Sequence, residues 1–436
     1  MQKFILVITL ILISFSSKSQ TLYFPPTTGT TWDTISPGTL GWCTDRIDSL
    51  YNYLEGANSK AFIVLKDGKI VLEKYFGTFT KDSIWYWASA GKTITSFMTG
   101  IAQQENYLSI NDKTSQYLGL GWTDCTLTQE NNITIKNQLT MTSGLDDGVT
   151  DNHCTIDTCL KYKANAATRW AYHNGPYTLL DDVISAATGQ TLNSYINQKL
   201  KTPTGMTGLF VQPSFDNVFW STPRSMARFG LLILNKGKWN STPILSDSNY
   251  FNQMTNTSQQ LNKAYGYLWW LNGKTSFMAP SSQLVFSSMI ALAAPTDMIA
   301  AIGKNGQLIN VVPSQNLVFI RMGNSPDGGE VSFLLNDTIW QKMNRLVCNP
   351  SSLNTDNTKN NIAIYPNPVH ENIAIKYENN YFNLELFDIF GNKITSKPSC
   401  FSTENISTKD FKNGIYFLRI ISDKKIVCHQ KIIISH

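Results

Sequence analysis

Apolar positions along the middle of the chain follow two spacings, which predict a mixture of strands and helices. Two β-rich runs on either side of Lys66-Asp67-Gly68 predict a hairpin over residues 60–77. From Ala90 onward, apolar side chains at i, i+3, i+4 and i+7 predict a long helix whose buried face carries Ile94, Phe97, Met98 and Ile101. Later elements are predicted as a helix over 223–235, strands over 298–302, 308–312 and 316–322, and a final helix over 331–346. Strands at both ends with helices between them predict an α+β domain whose terminal strands meet in one sheet.

The first residues have the pattern of a secretory signal peptide. Lys3 precedes a largely apolar run at positions 4–13, and Ser17 and Ser19 are the small residues of a cleavage site before Gln20. A helix this short cannot cross about 30 Å of hydrocarbon, so a signal peptide over residues 1–19 is favoured over a retained membrane anchor. No later apolar stretch approaches the length of a spanning helix, and we therefore expect no stable membrane span.

The composition changes again near the other end of the chain. Residues 349–361 are polar and nearly free of apolar side chains, which is typical of a linker. Short runs with strand character follow, separated by turn signals such as Gly391-Asn392 and Asn413-Gly414. They predict a small all-β sandwich over residues 362–436, which leaves residues 20–348 as the domain that holds any activity.

Charge and composition then narrow the functional classes. The 36 basic and 31 acidic residues give a net charge of +5, and no block of like charges suggests a nucleic-acid partner. Charged residues make up only 15% of the chain, which fits an exported protein. The five histidines and seven cysteines are too scattered for a zinc module, so neither a metal nor an organic cofactor is expected.

Export into an oxidising compartment predicts disulfides. Position along the chain suggests three pairs as a hypothesis, which leaves Cys125 unpaired and requires, for Cys43–Cys348, that the first and last helices of the domain pack together. The pairs are Cys43–Cys348, Cys154–Cys159 and Cys400–Cys428.

The start of the first long helix carries Ser89-Ala-Gly-Lys92, a candidate nucleophile and base. Residues three apart are neighbours on a helix, so the lysine amine can reach the serine hydroxyl. A serine at a helix N-terminus also faces free backbone N–H groups that stabilise negative charge. The S-x-x-K pattern alone is weak, because it occurs again at Ser422 to Lys425, in the predicted sandwich.

The order of several motifs is far more specific than any one of them. The first motif is followed by Gln138-Leu-Thr-Met-Thr-Ser-Gly144, by Tyr172-His-Asn174, and by Lys304-Asn-Gly306-Gln307. This series resembles the serine β-lactamase and penicillin-binding-protein superfamily, in its class C-like branch with D-aminopeptidases, carboxylesterases and aminohexanoate-oligomer hydrolases. The resemblance covers residues 60–346. It implies a five-stranded antiparallel sheet flanked by helices, together with a helical subdomain, with the active site between them.

The resemblance also implies roles for individual residues. Ser89 would be the nucleophile that forms an acyl-enzyme, Lys92 would help to deprotonate it, and Tyr172 would carry protons to the leaving group and from the deacylating water. Asn174 would orient the lysine and the substrate amide. The last motif would supply contacts to the substrate and to the oxyanion. Lys304 would hold a substrate carboxylate or tune Tyr172. The backbone N–H groups of Ser89 and Gln307 would form an oxyanion hole. The remaining members of that motif are Asn305 and Gly306.

Two departures from the family pattern bear on the substrate. Asn305 stands where β-lactamases usually carry Thr or Ser, so the hydroxyl that binds their substrate carboxylate is absent. Position 173 is His rather than the common Ser, and His173 is expected to be a pocket wall rather than a base. A Ser-His-Asp hydrolase is disfavoured, since only His153 and His173 lie in this domain and no G-x-S-x-G elbow is present.

The C-terminal domain has its own resemblance. Tyr365-Pro-Asn-Pro368, Phe387-Asp-Ile-Phe-Gly391 and Asn413-Gly-Ile-Tyr416 are similar in order and spacing to the sorting domain of type IX secretion substrates. This implies the type IX secretion machinery as a partner, and a secreted or cell-surface location reached via the periplasm. The alternative is a generic Ig-like adhesion module.

Together these features predict a secreted serine hydrolase that cleaves an ester or amide through an acyl-serine intermediate. The substrate would be a small molecule or short peptide, such as a peptide-like, D-amino-acid or β-lactam-related compound. The alternative is a catalytically weak or inactive penicillin-binding-like protein that binds cell-wall peptides. Aromatic groups at 85–87 and 265–270 are expected to be core rather than a substrate groove.

Overall fold

The structure is a computed structural model that describes residues 22–325, 331–348, 362–388, 392–423 and 425–436. The predicted signal peptide (1–19) and linker (349–361) lie outside the described residues. The chain divides between Asn349 and Pro350 into two compact units. Within the described residues, no helix combines the length and the apolar character needed to cross a membrane.

The first unit holds eleven α-helices in its described residues, numbered here in chain order. They are α1 (Ile47–Gly56), α2 (Lys92–Gln104), α3 (Ser115–Leu118), α4 (Leu127–Glu130), α5 (Ile135–Leu139), α6 (Asn174–Thr188), α7 (Leu192–Ile196), α8 (Thr202–Thr204), α9 (Pro223–Leu234), α10 (Ser248–Met254) and α11 (Phe333–Asn344). The helices predicted from Ala90, over 223–235 and over 331–346 correspond to α2, α9 and α11.

The strands of the first unit are shorter on average than the helices. They are β1 (Ser59–Lys66), β2 (Lys69–Tyr75), β3 (Trp85–Tyr86), β4 (Leu209–Val211), β5 (Val218–Ser221), β6 (Lys238–Trp239), β7 (Thr242–Pro243), β8 (Trp270–Leu271), β9 (Phe277–Met278), β10 (Val285–Phe286), β11 (Ile299–Gly303), β12 (Gln307–Val312) and β13 (Leu317–Gly323).

Six of these strands form the central sheet, in the order β2-β1-β13-β12-β11-β8, with antiparallel pairing throughout. The predicted hairpin is β1–β2, and its turn residues Asp67 and Gly68 have φ of 52° and 83°, as a tight two-residue hairpin requires. The strands predicted over 298–322 are β11, β12 and β13. The terminal strands therefore meet in one antiparallel sheet, as predicted, and the two-residue strand β8 adds a sixth member at the edge.

Helices cover both faces of this sheet. A Cβ at Gly230 of α9 would lie only 2.5 Å from Val318 Cγ1, so the glycine lets this helix pack closely on β13. On α11, the Trp340 ring contacts Phe319 and its indole N–H donates to Asn310 Oδ1 at 3.1 Å. Because Val318 and Phe319 are consecutive in a strand, they point to opposite faces, which places α9 and α11 on opposite sides of the sheet.

The helical part of the unit is built around α6. Helices α2, α3 and α5 all pack against it. A small separate apolar core lies in this part, formed by Trp122, Ile133, Leu145, Leu160 and Leu179. The predicted α+β architecture with a helical subdomain is confirmed.

The second unit is all-β, as predicted. Its strands are β14 (Ile362–Tyr365), β15 (Asn372–Asp388), β16 (Lys393–Ser407), β17 (Gly414–Ser422) and β18 (Lys425–Ile434). They form one antiparallel sheet in which the long β15 pairs with β14, β16 and β17. A parallel bridge between Val369 and Ile434 joins the last strand to the segment after β14, so the sheet is nearly barrel-shaped and encloses its own apolar core.

Two of the three predicted disulfides are formed. Cys43 is bonded to Cys348, and Cys154 to Cys159. The predicted Cys400–Cys428 bond is wrong, because both are free thiols, as is Cys125. Cys400 lies on β16 and Cys428 on β18, and β15 and β17 lie between these strands in the sheet.

The two disulfides close loops of very different length, which predicts different losses of stability when each is removed. Replacing Cys43 and Cys348 by Ser opens a loop with a sequence separation of 305 and should cost about 3–5 kcal/mol of unfolding free energy. Replacing Cys154 and Cys159 by Ser opens a loop with a sequence separation of only 5 and should cost about 2 kcal/mol or less of unfolding free energy. All 11 tryptophans lie in the first unit, so denaturant unfolding followed by tryptophan fluorescence reports on it alone. Equal losses for both pairs would contradict this account.

Candidate active site

The turn that carries Ser89 is held against the end of a sheet strand. Ser89 lies in a 3₁₀ helix over Ala88–Gly91 that runs directly into α2. Ala88 has φ of 45°, a left-handed conformation that alanine adopts rarely and that neighbouring structure must stabilise. A Cβ at Gly303, the last residue of β11, would lie 2.5 Å from the Trp87 carbonyl oxygen and 3.0 Å from the Ser89 nitrogen. Only a glycine therefore lets the strand approach the turn this closely.

Lys92 is placed for chemistry on Ser89. Its Nζ donates to Ser89 Oγ at 3.0 Å, as the i, i+3 spacing predicted. The residue is only 4% exposed, and the ammonium lies 4.1 Å from the ring centroid of Tyr177 and 5.2 Å from that of Tyr172. Such ring faces attract an amino group that carries a charge, so Lys92 Nζ is held between the Ser89 hydroxyl and two phenol rings.

Tyr172 is buried, and its ring is held by other aromatic side chains. It stacks on Trp270 at 6.0 Å between centroids and meets Tyr265 edge-on at 6.3 Å. Trp170 completes the surround at 6.4 Å. The aromatic group at 265–270 is buried, as expected, and two of its members position the candidate catalytic tyrosine.

The Gln138–Gly144 segment positions this part of the site without entering the chemistry. Gln138 is buried, accepts from Thr114 Oγ1 at 2.6 Å and donates to the Pro176 carbonyl in the first turn of α6, also at 2.6 Å. The Met141 carbonyl accepts from the Ala171 N–H at 2.9 Å. The motif therefore fixes the backbone on both sides of Tyr172.

Asn174 begins α6 and belongs to a polar network that the motifs did not reveal. Its Nδ2 donates to Asn152 Oδ1 at 2.8 Å and lies 3.3 Å from His153 Nε2, while His153 Nδ1 is hydrogen-bonded to Asp216. Asn174 is 7% exposed, and its Oδ1 has no hydrogen-bond partner among the described residues. His153 and Asp216 resemble the His-Asp part of a Ser-His-Asp hydrolase. The second ring nitrogen faces an amide and not a hydroxyl, however, so the geometry does not support that alternative.

The turn after β11 carries Lys304, Asn305 and Gly306. Asn305 has φ of 62°, a left-handed conformation that asparagine tolerates better than the β-branched Thr of the family pattern. Its Nδ2 donates to the Tyr86 hydroxyl at 2.7 Å, so this side chain is held by the protein. Lys304 is exposed.

A buried arginine holds this turn in place. Arg321 on β13 is fully buried and donates to the carbonyl oxygens of Asn305 and Gly306 at 3.1 and 2.7 Å, and to Ser59 Oγ at 2.8 Å. A Cβ at Gly306 would lie 2.5 Å from Arg321 Nη1, and Gly306 also has φ of 71°. Both constraints require glycine at this position.

Gln307 contributes its backbone to this region and not its side chain. The side chain is fully buried, donates to the Gly323 carbonyl at 2.6 Å and accepts from the Gly323 N–H at 3.1 Å. Gln307 pairs with Gly303, the strand residue that lies against the Ser89 turn. Only its main chain is therefore left for the predicted oxyanion role.

Asp181 is a buried carboxyl group that connects three segments around the site. It accepts from Thr95 Oγ1 on α2 at 2.8 Å and from Asn217 Nδ2 at 2.6 Å. Burial raises the pKa of Asp181 to about 7, although both hydrogen bonds act in the opposite direction. Because Asn217 follows Asp216, this carboxyl group ties the Asp216 segment to α2 and α6.

Two further groups near the site have shifted pKa values. Burial acts to raise the pKa of Asp216, but the hydrogen bond to His153 and the nearby cations, Lys92 and Lys304 among them, hold it below its usual value. Asp216 is thus close to both lysines of the candidate site. Burial lowers the pKa of His173 to about 4, so this ring is neutral near pH 7.

No group of three or more His, Cys, Asp or Glu in the described ranges could hold a metal ion. A cavity of about 320 Å³ lies in the helical part, lined among others by Cys125, Tyr162 and Asn165. Its lining includes none of the predicted catalytic residues, so the cavity is separate from the candidate active site.

Comparison with known proteins agrees with this architecture. Residues 52–342 match the β-lactamase family, and residues 363–435 match the secretion system C-terminal sorting domain. The chain therefore belongs to the β-lactamase family, a family of hydrolases, and it ends in a sorting domain of the type IX secretion system. That domain indicates handling by this system and export to the cell surface or beyond. Both resemblances predicted from the sequence are confirmed.

Individual relatives are distant. An uncharacterised protein of Alkalihalophilus pseudofirmus is 23% identical over 317 residues, which are 63% of this chain and 87% of that protein. A provisionally named β-lactamase from Bacteroides dorei is 18% identical with a TM-score of 0.56, covering 70% of this chain and 99% of that one. A provisionally named 6-aminohexanoate-dimer hydrolase from Bacillus anthracis is 17% identical with a TM-score of 0.55, and the match covers 73% of this chain and 87% of that one. At these identities the structural likeness shows the fold alone.

The raised pKa of Asp181 predicts how stability depends on pH. An unfolded Asp has a pKa near 3.9, so the folded state retains a proton that the unfolded state releases between about pH 4 and 7. This stabilising contribution is complete below about pH 4 and is lost as the pH rises through 7. As the pH rises from 4 to 8, the wild type should lose about 2–4 kcal/mol of unfolding free energy through this group. Asp181→Asn has no proton to lose at this position, so the variant should become more stable relative to wild type by the same amount over that range. The exposed Asp48 on α1 supplies the control, Asp48→Asn; the explanation fails if both variants follow the wild-type pH dependence of denaturant unfolding.

Proposed function

We propose that this protein is an exported serine hydrolase that cleaves an ester or amide through an acyl intermediate on Ser89. The observation that carries the proposal is the 3.0 Å contact between Lys92 Nζ and Ser89 Oγ, in which a buried amine reaches a hydroxyl at the start of a helix. An activated serine requires a base within hydrogen-bond reach, and this amine meets that requirement. The nearby Tyr172 supplies the second group that can accept and return a proton.

The proposed reaction has two steps. In the first, Ser89 Oγ bonds to the substrate carbonyl carbon, its proton passes to the Lys92–Tyr172 pair, and Tyr172 returns a proton to the leaving alcohol or amine as the scissile bond breaks. In the second, a water molecule loses a proton to Tyr172 and attacks the acyl-serine, and the proton returns to Oγ when the acid departs. The backbone N–H groups of Ser89 and Gln307 would stabilise the oxyanion in both steps, an effect worth about 3 kcal/mol per donor in proteases.

The turn after β11 favours some substrates over others. Asn305 supplies no hydroxyl, and its amide is already bonded to Tyr86, so the family's usual contact with a β-lactam carboxylate is missing. The exposed Lys304 could still hold a carboxylate or tune Tyr172. We therefore propose linear esters, linear amides or D-amino-acid peptides as substrates ahead of β-lactams. A purely binding, inactive relative is disfavoured because the nucleophile and base remain in contact.

The proposed route of export uses both ends of the chain. Residues 1–19 would direct the protein to the periplasm and be removed, and the second unit would then engage the type IX machinery. The match to a sorting domain supports the second of these steps. The catalytic domain is proposed to span residues 20–348, with residues 349–361 as the linker.

Substitution of the three central residues tests the chemistry. Lys92→Ala and Tyr172→Phe should each lower kcat/KM by at least about 100-fold, the scale of a general acid–base group, and Ser89→Ala should abolish turnover. The matched control is Ser422→Ala, which alters the second S-x-x-K pattern in the sorting domain and should leave the rate unchanged. Rates are measured side by side on p-nitrophenyl esters, nitrocefin, D-amino-acid amides and short linear amides.

A near-wild-type rate for Lys92→Ala or Tyr172→Phe would remove that residue from the mechanism. Residual labelling of Ser89→Ala by a fluorophosphonate probe at the wild-type rate would place the nucleophile elsewhere. Each variant is first compared with wild type by thermal unfolding, so that a loss of rate is not a loss of fold.

A further inference from the structure

The cavity in the helical part of the first unit has room for a small molecule, and its lining is polar but uncharged. Its volume of about 320 Å³ lies within the range of about 300–1,000 Å³ that is usual for ligand pockets. In the described part of the chain, no Asp, Glu, Lys or Arg lines it. Two hydroxyl groups, a thiol and several small or aliphatic side chains contribute to the lining, together with four amides: Gln129, Asn132, Asn137 and Asn165.

Two of these amides have an orientation that the neighbouring backbone fixes. Gln129 Oε1 accepts from the Thr126 backbone N–H at 3.0 Å and from the Thr126 hydroxyl at 2.9 Å. Asn137 Oδ1 accepts from the Thr134 backbone N–H at 3.0 Å and from its hydroxyl at 2.7 Å. A backbone N–H can only donate, so the amide atom that it meets must be the oxygen, as in a capping box. The NH₂ group is therefore the end of each side chain that is left for the cavity.

The lining of the cavity holds donors that the protein does not use fully. Among the described residues, Gln129 Nε2 donates no hydrogen bond, and Asn137 Nδ2 donates only to the Thr142 hydroxyl, at 3.4 Å. Ser143 is 7% exposed, and its Oγ accepts from the Leu145 N–H at 3.3 Å, while its own hydrogen has no acceptor in the same set of residues. Buried donors are normally paired, so a ligand that brings oxygen atoms would complete this wall.

The chemistry of the lining favours a neutral ligand that is rich in hydroxyl groups. A charged ligand would lose hydration without meeting a counter-charge, and an apolar ligand would leave the amide donors unpaired. The hydroxyl groups of a sugar can accept at several adjacent positions, and the C–H faces of its ring can pack on Ile133 and on the Tyr162 ring, which is 41% exposed. A peptide is less suitable, because its N–H groups would meet mostly donors here.

We propose that this cavity is a binding site for a neutral carbohydrate, in which the NH₂ groups of Gln129 and Asn137 and the Ser143 hydroxyl donate to sugar oxygens. The site is separate from the candidate active site, since none of the residues proposed for acyl transfer lines it. The proposal therefore goes beyond the proposed hydrolase function and does not depend on it. Such a site would hold the exported protein on material that carries glycans.

A saturation-transfer NMR titration of the full chain tests the class of ligand. The protein used is Ser89→Ala, so that no probe is turned over. The probes are the methyl glycosides of glucose, galactose, mannose and N-acetylglucosamine, with N-acetylglycinamide as the neutral peptide-like comparison. At least one glycoside should bind, and it should bind more tightly than N-acetylglycinamide. Binding of no glycoside, or tighter binding of N-acetylglycinamide than of every glycoside, would overturn the proposal.

A substitution that keeps the capping box but removes the donors tests the role of Gln129. In Gln129→Glu the carboxylate can still accept from Thr126, and the affinity for the bound glycoside should fall by at least about 10-fold, the scale of one hydrogen bond. The matched control is Gln116→Glu, because Gln116 Oε1 accepts from the Lys113 N–H at 3.0 Å with the same spacing but Gln116 does not line the cavity. Unchanged affinity in Gln129→Glu, or an equal loss in Gln116→Glu, would overturn the proposal.

The thiol of Cys125, which lines the cavity, allows the position of the bound sugar to be checked. Its alkylation by iodoacetamide, followed by mass spectrometry of peptides, should slow about 10-fold when the glycoside is present at about ten times its Kd. The free thiol of Cys428 in the second unit is the internal control, and its rate should not change. An unchanged rate at Cys125 would place the sugar elsewhere and overturn the proposal. None of these measurements uses turnover, so their failure and the failure of the proposed hydrolase function are distinguishable.

Discussion

The candidate site depends on the close approach of a sheet strand to the turn that carries Ser89. Gly303 ends β11 against Trp87 and Ser89, at distances that leave no room for a side chain. This contact sets the Ser89 turn beside the strand pair β11–β12, in which Gln307 is the residue opposite Gly303. The same turn opens α2, which places Lys92 one helical turn later, in reach of the serine hydroxyl.

Buried polar groups maintain this arrangement. Arg321 binds the carbonyl oxygens of the turn after β11, and Asp181 connects α2 with the segment that follows β4. Such groups are costly to bury unless they are hydrogen-bonded, and both of these are. Asn174 differs, because one atom of its amide is left without a partner among the described residues.

Much of the fold could be predicted from the sequence, because the periodicity of apolar side chains reports directly on burial. The β1–β2 hairpin, α2, α9 and the last three strands of the sheet were all visible in this way. The Ser89–Lys92 contact could be predicted equally well, because its two residues lie within one helical turn. The His153–Asp216 pair was not, because 63 residues separate its members and neither belongs to a motif. The Cys400–Cys428 bond was wrongly predicted for the same reason: sheet order decides which cysteines meet, and cysteine counting does not reveal it.

The central claim is that Ser89 forms a covalent acyl intermediate, and mass spectrometry of the intact protein tests it most directly. Rapid acid quenching during turnover of an activated ester should reveal a fraction of wild-type protein heavier by one acyl group, with the added mass on the peptide that contains Ser89. The same treatment of Ser89→Ala should give no adduct and no turnover. An adduct on another residue, or turnover by Ser89→Ala at the wild-type rate, would contradict the account.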